Sequence, residues 1–127
     1  AMHGVEYCAT ATPWNMKDLM EKVQKGLEAS KRGFAYIHMF APCTTGWSFA
    51  QDQGIEVAKR AVRSNMFPVW EKTPEGYKLS YVNNSPISIK EFVTGIGKFK
   101  NLSDEQLSEI QKTADERYAT IKALCGI

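Results

Sequence analysis

The feature that most narrows what this chain can fold into is the unbroken apolar run Phe34-Ala-Tyr-Ile-His-Met-Phe40, followed at once by Ala41-Pro-Cys-Thr-Thr-Gly-Trp47. Strands of a parallel sheet covered by helices on both faces read as continuous apolar runs rather than alternating ones. The backbone beyond this run is built to turn, because Pro42 fixes its own φ and Gly46 permits a positive one. Cys43 is thereby expected at the mouth of a buried strand, at the carboxyl end where ligands gather in open α/β sheets. The backbone amides of Thr44 to Gly46 are placed to face a sulfur anion or another negatively charged group.

The flanking segments fit a crossover unit. Val5 to Ala9 is short and apolar and reads as a strand, with Thr10-Ala-Thr-Pro13 as the loop beyond it. Asn15, with Asp18 three residues later, caps a helix in which Met16, Leu19, Met20, Val23 and Leu27 form one apolar stripe and which Gly33 ends. Strand, helix, strand in that order predicts a parallel right-handed unit with the strands of Cys8 and Cys43 side by side. Further on, Ile55, Ala58, Ala61 and Val62 mark a second helix, and Pro68-Val-Trp70 and Tyr77 to Val82 a hairpin around Pro74-Glu-Gly76. Ser88 with Glu91 and Ser103 with Gln106 read as capping boxes opening two more helices. The second carries Leu107, Ile110, Ala114, Arg117 or Tyr118, Ile121 and Leu124, a stripe that packs on its own domain or on a partner subunit. The expected class is α/β: a partial parallel sheet with helices on its faces over residues 1–82, and a helical C-terminal extension over 83–127.

At 127 residues and 43% hydrophobic, the chain is one domain long with a small core. Its net charge of +2 comes from 16 basic and 14 acidic residues that are interspersed, and no basic cluster alternates with aromatics. Nucleic-acid and membrane-surface roles therefore have little support. No apolar stretch approaches the roughly 18 residues of a membrane span, and the first residues lack the regions of a signal peptide, so a cytoplasmic protein is expected. Three cysteines without CxxC spacing fit neither a disulfide framework nor a self-contained zinc site. A glycine-rich phosphate loop, an HExxH pair and a GxSxG elbow are all missing, and no catalytic residue is assigned.

Residue by residue, Cys43 reads on its own as a buried or half-buried structural thiol. Cys8 reads as a small core residue and Cys125 as an incidental thiol near the C-terminus. His38 precedes Cys43 by about 16 Å of strand and is expected in the core rather than as a base. Thr10, Thr12, Thr44 and Thr45 put hydroxyls at strand ends, where they bond a cofactor edge or close loops. Trp14, Trp47 and Trp70 are anchors of core or interface, and Trp47, next to Gly46, has the best claim to a site.

The stretch Phe40 to Phe49, continued by Ile55-Glu-Val-Ala-Lys-Arg-Ala-Val62 and Phe67-Pro-Val-Trp-Glu71, resembles the beta subunit of pyruvate:ferredoxin oxidoreductase, or pyruvate synthase. His3-Gly-Val-Glu-Tyr-Cys-Ala-Thr-Ala11 is similar to a strand of that family's thiamine-diphosphate domain, and Gly97-Lys-Phe-Lys-Asn-Leu-Ser103 to its C-terminal signature. The resemblance implies a whole enzyme that oxidatively decarboxylates pyruvate with coenzyme A to acetyl-CoA, carbon dioxide and reduced ferredoxin, or runs the reverse. Its cofactors are thiamine diphosphate, Mg2+ and a 4Fe-4S cluster, and its partners are the other oxidoreductase subunits and ferredoxin. On this likeness Cys43 is the last cysteine ligand of the cluster, with Thr44, Thr45, Gly46 and Trp47 as cofactor-binding candidates and Trp47 shielding the cluster from water.

The resemblance implies that the other three ligands, and the diphosphate-binding Gly-Asp-Gly motif, come from sequence N-terminal to these residues. The chain is therefore expected to be the C-terminal part of the subunit, inactive alone, binding none of these cofactors by itself, and prone to self-association through exposed strand edges. It departs from the family pattern at Thr44, where proline is common, and at Arg63-Ser-Asn65, in place of a Glu-Thr-Gly turn. Alternatives are the beta subunit of a branched-chain 2-oxoacid oxidoreductase, a separately encoded non-catalytic assembly module, and an independent thiol enzyme centred on Cys43.

Overall fold

In the computed structural model, which describes residues 4–127, β1 (Tyr7–Ala11), α1 (Met16–Ser30) and β2 (Ala35–Met39) form the expected unit. The two strands run parallel, with Tyr7 opposite Ala35 and Ala11 opposite Met39. His3 lies outside the described residues. The strand starts two residues later than the sequence suggests, and Thr10 belongs to it rather than to the loop. Thr10 Oγ1 donates to the Pro68 carbonyl at 2.7 Å and accepts from the Trp70 amide at 3.0 Å, which ties β1 to the next strand. That strand, β3 (Trp70–Thr73), and β4 (Gly76–Leu79) are the predicted hairpin; β3 pairs antiparallel with both β1 and β4. The sheet is mixed, in the order β2-β1-β3-β4, with one parallel pair and helices packed on it, an α/β fold as expected.

Two expectations are overturned by that order. β2 is an edge strand, and Tyr36, His38 and Met39 are exposed, so Cys43 does not follow a buried strand. An apolar run is buried on both faces only where something covers both, and among the described residues nothing pairs with the outer edge of β2. His38 is correspondingly not a core residue; its exposed ring meets Phe67 edge-on, centroids 5.3 Å apart.

Helix α1 begins as predicted, the Asn15 side chain accepting from the Asp18 amide at 3.2 Å. Its apolar stripe, however, does not face the sheet. The residues buried are Lys22, Gly26 and Ala29, spaced by four and three. Gly26 allows close approach: a Cβ there would meet Ile37 Cδ1 at 3.2 Å. Met16, Met20, Val23 and Leu27 point outward, Leu27 being 63% exposed.

The main core forms on the other side. α3 (Gly54–Arg63) buries Val57, Ala58, Ala61 and Val62, so Val57 takes the inward position expected of Ile55, which is exposed. Val57, Ala61 and Val62 pack with Phe67, Val69, Ile89, Phe92, Ile96 and Ala114. Asn65 adopts a positive φ of 61°, as asparagine does more readily than other side-chain-bearing residues, and its side chain bonds Asp115 and Asn83. α4 (Ile89–Val93) is capped by Ser88, and α5 (Asp104–Leu124) by a reciprocal box in which the Ser103 amide donates to Gln106 Oε1 and the Gln106 amide to Ser103 Oγ. α5 packs on its own chain through Ala114 and Tyr118, whose hydroxyl accepts from the Asn83 amide at 2.7 Å. Among the described residues, no helix is long and apolar enough to cross a membrane.

The burial pattern separates two apolar truncations. Ile89→Ala, at a site 1% exposed, is expected to cost about 2–5 kcal/mol in denaturant unfolding, whereas Leu27→Ala should stay within about 0.5 kcal/mol. Comparable losses would mean that the outward stripe of α1 is buried.

Candidate functional site

Past β2 the parallel pairing runs one residue further, the Phe40 amide donating to the Ala11 carbonyl at 2.9 Å, and then the chain leaves the sheet. The Phe40 ring is held between Phe67, at 5.1 Å, and Trp47, at 5.7 Å. Cys43 is extended and caps α2 (Thr44–Trp47): its carbonyl accepts from the Trp47 amide at 3.0 Å and its Sγ from the Gly46 amide at 3.3 Å. Ser48, with φ 55°, ends the turn in the left-handed region and donates its amide to the Thr45 carbonyl. The five candidate residues thus occupy one turn. Cys43, Thr45 and Gly46 are exposed, Thr44 is half-buried, and the half-buried Trp47 packs edge-on against Phe99 at 5.4 Å. The indole is fixed on apolar surface while the thiol stays open.

The arrangement fits one ligand of an iron–sulfur cluster, since cluster sulfurs take backbone N–H donors and are tuned by them. Among the described residues no group of three or more His, Cys, Asp or Glu gathers to hold a metal. On its own, Cys43 could supply a single donor to such a set. Thr10 and Thr12 are committed to the fold: the buried Thr12 Oγ1 accepts from the Trp14 amide at 3.0 Å, and Thr10 is tied to β3 as described. Cys8 is buried within β1, and Cys125 sits half-buried at the end of α5, where burial pushes its thiol up against the opposing pull of a Leu79 backbone hydrogen bond.

Sequence reasoning missed a charged network beneath this end of the sheet. Lys22, 1% exposed, donates from Nζ to the Thr10 carbonyl and to Asp18 Oδ2, both at 2.8 Å. Burial lowers its pKa, against the pull of Asp18. Glu71 on β3 accepts from Lys25 at 2.7 Å and from the Tyr7 hydroxyl at 2.8 Å. Burial raises Glu71, but the Lys25 and Tyr7 hydrogen bonds and the nearby ammonium charges outweigh it and hold the carboxyl below its usual range. Burial and the Glu71 carboxylate push the Tyr7 hydroxyl upward. The signal was present in the spacing: Lys22 shares a face with Gly26 and Ala29, and Asp18 lies one turn before it.

No family model matches the chain. Individual relatives do place it: over most of its length it is homologous to beta subunits of 2-oxoacid oxidoreductases. It is 37% identical over 123 residues to the beta subunit of NADH-dependent phenylglyoxylate dehydrogenase from Aromatoleum evansii, covering 96% of this chain and 28% of that one. It is 33% identical over 117 residues to pyruvate synthase subunit PorB of Methanocaldococcus jannaschii, covering 92% and 39%. With ketoisovalerate oxidoreductase subunit VorB of Pyrococcus furiosus it shares 34% over 127 residues, covering 98% and 40%. The chain thus spans between 28% and 40% of the length of these relatives.

The network sets an acid limb of stability. A carboxyl held below its ordinary value takes up protons more readily in the unfolded chain, so its contribution is present above 4.5 and is lost as pH falls through the folded value. Glu71→Gln should lower Tm at neutral pH and flatten its decline below pH 4.5, in thermal unfolding followed by circular dichroism. An unaltered acid slope would show that Glu71 does not stabilise the fold.

Proposed function

We propose that the chain is the C-terminal part of the beta subunit of a 2-oxoacid oxidoreductase, and that Cys43 supplies one thiolate ligand of an iron–sulfur cluster in the complete subunit. The observation that carries this reading is the exposed Cys43 Sγ beyond the carboxyl end of β2, held by the Gly46 amide at 3.3 Å. Homology to subunits named for pyruvate, ketoisovalerate and phenylglyoxylate supports a 2-oxoacid substrate. Within that class we choose pyruvate, oxidised with coenzyme A to acetyl-CoA and carbon dioxide with ferredoxin reduced, or the reverse. The runner-up is a branched-chain 2-oxoacid.

When bound, thiamine diphosphate with Mg2+ would supply carbanion stabilisation at the 2-oxo carbon, and the cluster a one-electron relay. The residues of this chain work around them. The Gly46 amide offsets negative charge at the Cys43 sulfur, and Trp47, wedged between Phe40 and Phe99, excludes water from one side of the turn. Thr44 and Thr45 add hydroxyls on that turn. The 127 residues contain no Gly-Asp-Gly motif, so the diphosphate and its metal are held elsewhere in the subunit. Residues 1–82 belong to the cofactor-binding α/β domain and 83–127 to the helical extension, and a cytoplasmic location accompanies this assignment.

Exposed apolar residues on α1, namely Met16, Met20, Val23 and Leu27, and the open edge of β2 support contact with other subunits, and self-association of the isolated chain. Met20→Lys combined with Leu27→Lys should shift the isolated chain toward monomer in sedimentation velocity; a parent chain already monomeric at micromolar concentration would refute the association. Cys43→Ser, introduced into the complete subunit, is expected to reduce bound iron and abolish the low-temperature EPR signal of the cluster it ligates while preserving helix content. Unchanged iron content and EPR spectrum would overturn the ligand assignment.

A further inference from the structure

The turn that carries Cys43 is closed from behind by residues almost fifty positions later. After α4, the chain passes through the deeply buried Ile96 into a short 3-10 turn, Gly97–Phe99. The Gly97 amide donates to the Ser48 carbonyl at 2.9 Å, and the Phe99 ring packs edge-on against Trp47. Both contacts fall on the two residues that end the Cys43 turn. Ser48 takes a positive φ there, a backbone state that side-chain-bearing residues adopt only when their surroundings impose it.

The fit at this contact is tight on one side only. A Cβ added at Gly97 would lie 2.8 Å from Ser48 Cβ and 3.1 Å from the Ser48 carbonyl oxygen. Neither atom is the end of a flexible side chain, so relief requires the backbone at Ser48 to move. Ser48 is linked through the Thr44 and Thr45 carbonyls to the same turn in which Gly46 bonds the Cys43 sulfur. At its other end the turn is anchored to β1 by the Phe40 amide. The loop is therefore held at two ends, by the sheet in front and by the Gly97–Phe99 turn behind. Arg60 on α3 donates to the Glu91 and Thr94 carbonyls at the end of α4, the helix that leads into the Gly97–Phe99 turn.

We propose that Gly97 is a positioning residue for Cys43: its missing side chain lets the Gly97–Phe99 turn clamp Ser48 and Trp47, and so fixes the Gly46 amide on the Cys43 sulfur. The functional weight of this clamp rests on the ligand reading of Cys43 given above, but its mechanics do not. Gly97 acts through Ser48.

The test is amide hydrogen exchange on the 127-residue chain, with residue-resolved alkylation of the three cysteines alongside. Gly97→Ala is expected to speed exchange across residues 44–49 by about tenfold while β1 and α5 exchange as in the parent. Adding Ser48→Gly removes the Cβ at 2.8 Å and suits the positive φ, so the double variant should return exchange at 44–49 toward the parent rate. Gly54→Ala, where a Cβ meets nothing within 4 Å, is the neutral control. Buried Cys8 reports global opening: its alkylation should stay slow while that of Cys43 changes. Unchanged exchange at 44–49 in Gly97→Ala, or a double variant no closer to the parent than the single one, would overturn the proposal. If Gly97→Ala opens the whole chain and Cys8 reacts, Phe99→Leu loosens the same clamp more gently, and unaltered exchange at 44–49 in that variant would overturn it equally. These readings need no cluster, so they stand apart from the iron and EPR outcome for Cys43→Ser.

Discussion

Thr10 is the knot on which the sheet depends. Its hydroxyl bonds both the Pro68 carbonyl and the Trp70 amide, its backbone sits opposite His38 in the parallel pair, and its carbonyl takes the Lys22 ammonium. One buried residue thus joins β1 to β2, β3 and α1. The next residue, Ala11, accepts the Phe40 amide from which the Cys43 turn departs. A buried hydroxyl left without partners costs about 1–3 kcal/mol in mutational data; here the Thr10 hydroxyl and carbonyl are both engaged, and the position of the turn follows from that engagement.

The helix lying on this strand inverts the usual amphipathic arrangement. α1 sets a lysine, a glycine and an alanine against the sheet and turns methionines, a valine and a leucine outward. A buried ammonium survives because Asp18 and the Thr10 carbonyl receive it, and its neighbour Lys25 pairs with Glu71. Gly26 then lets the helix sit close over Ile37. The outward stripe, and the edge of β2 that nothing pairs with among the described residues, belong to a chain that spans only 28% to 40% of the length of these relatives.

Local chemistry was legible. Asn15, Ser88 and Ser103 cap helices where their side chains alone predict it, because a cap is decided within four residues. The parallel pair and the turn at Cys43 were legible for the same reason: strand, helix and strand in close succession, then proline and glycine. The burial of β2 was not, because an apolar run records what a strand is suited to, while whether anything pairs with its outer edge is decided in the tertiary structure, and among the described residues nothing does. His38 was misplaced with it. Which face of α1 meets the sheet was not legible, because its larger apolar residues mark one face and its small ones another, and only the distance between helix and sheet selects between them.

The amino-acid sequence by itself determined the α/β class, the order and caps of the elements, and a cysteine set on a tight turn after a strand, all consequences of interactions between residues close in the chain. Tertiary structure alone decided that the α1 stripe faces outward, that Lys22 is buried, and that Gly97 and Phe99 close the turn of Cys43 from half the chain away. Those outcomes depend on contacts across dozens of residues, whose geometry exists only once the sheet has set the spacing between the elements.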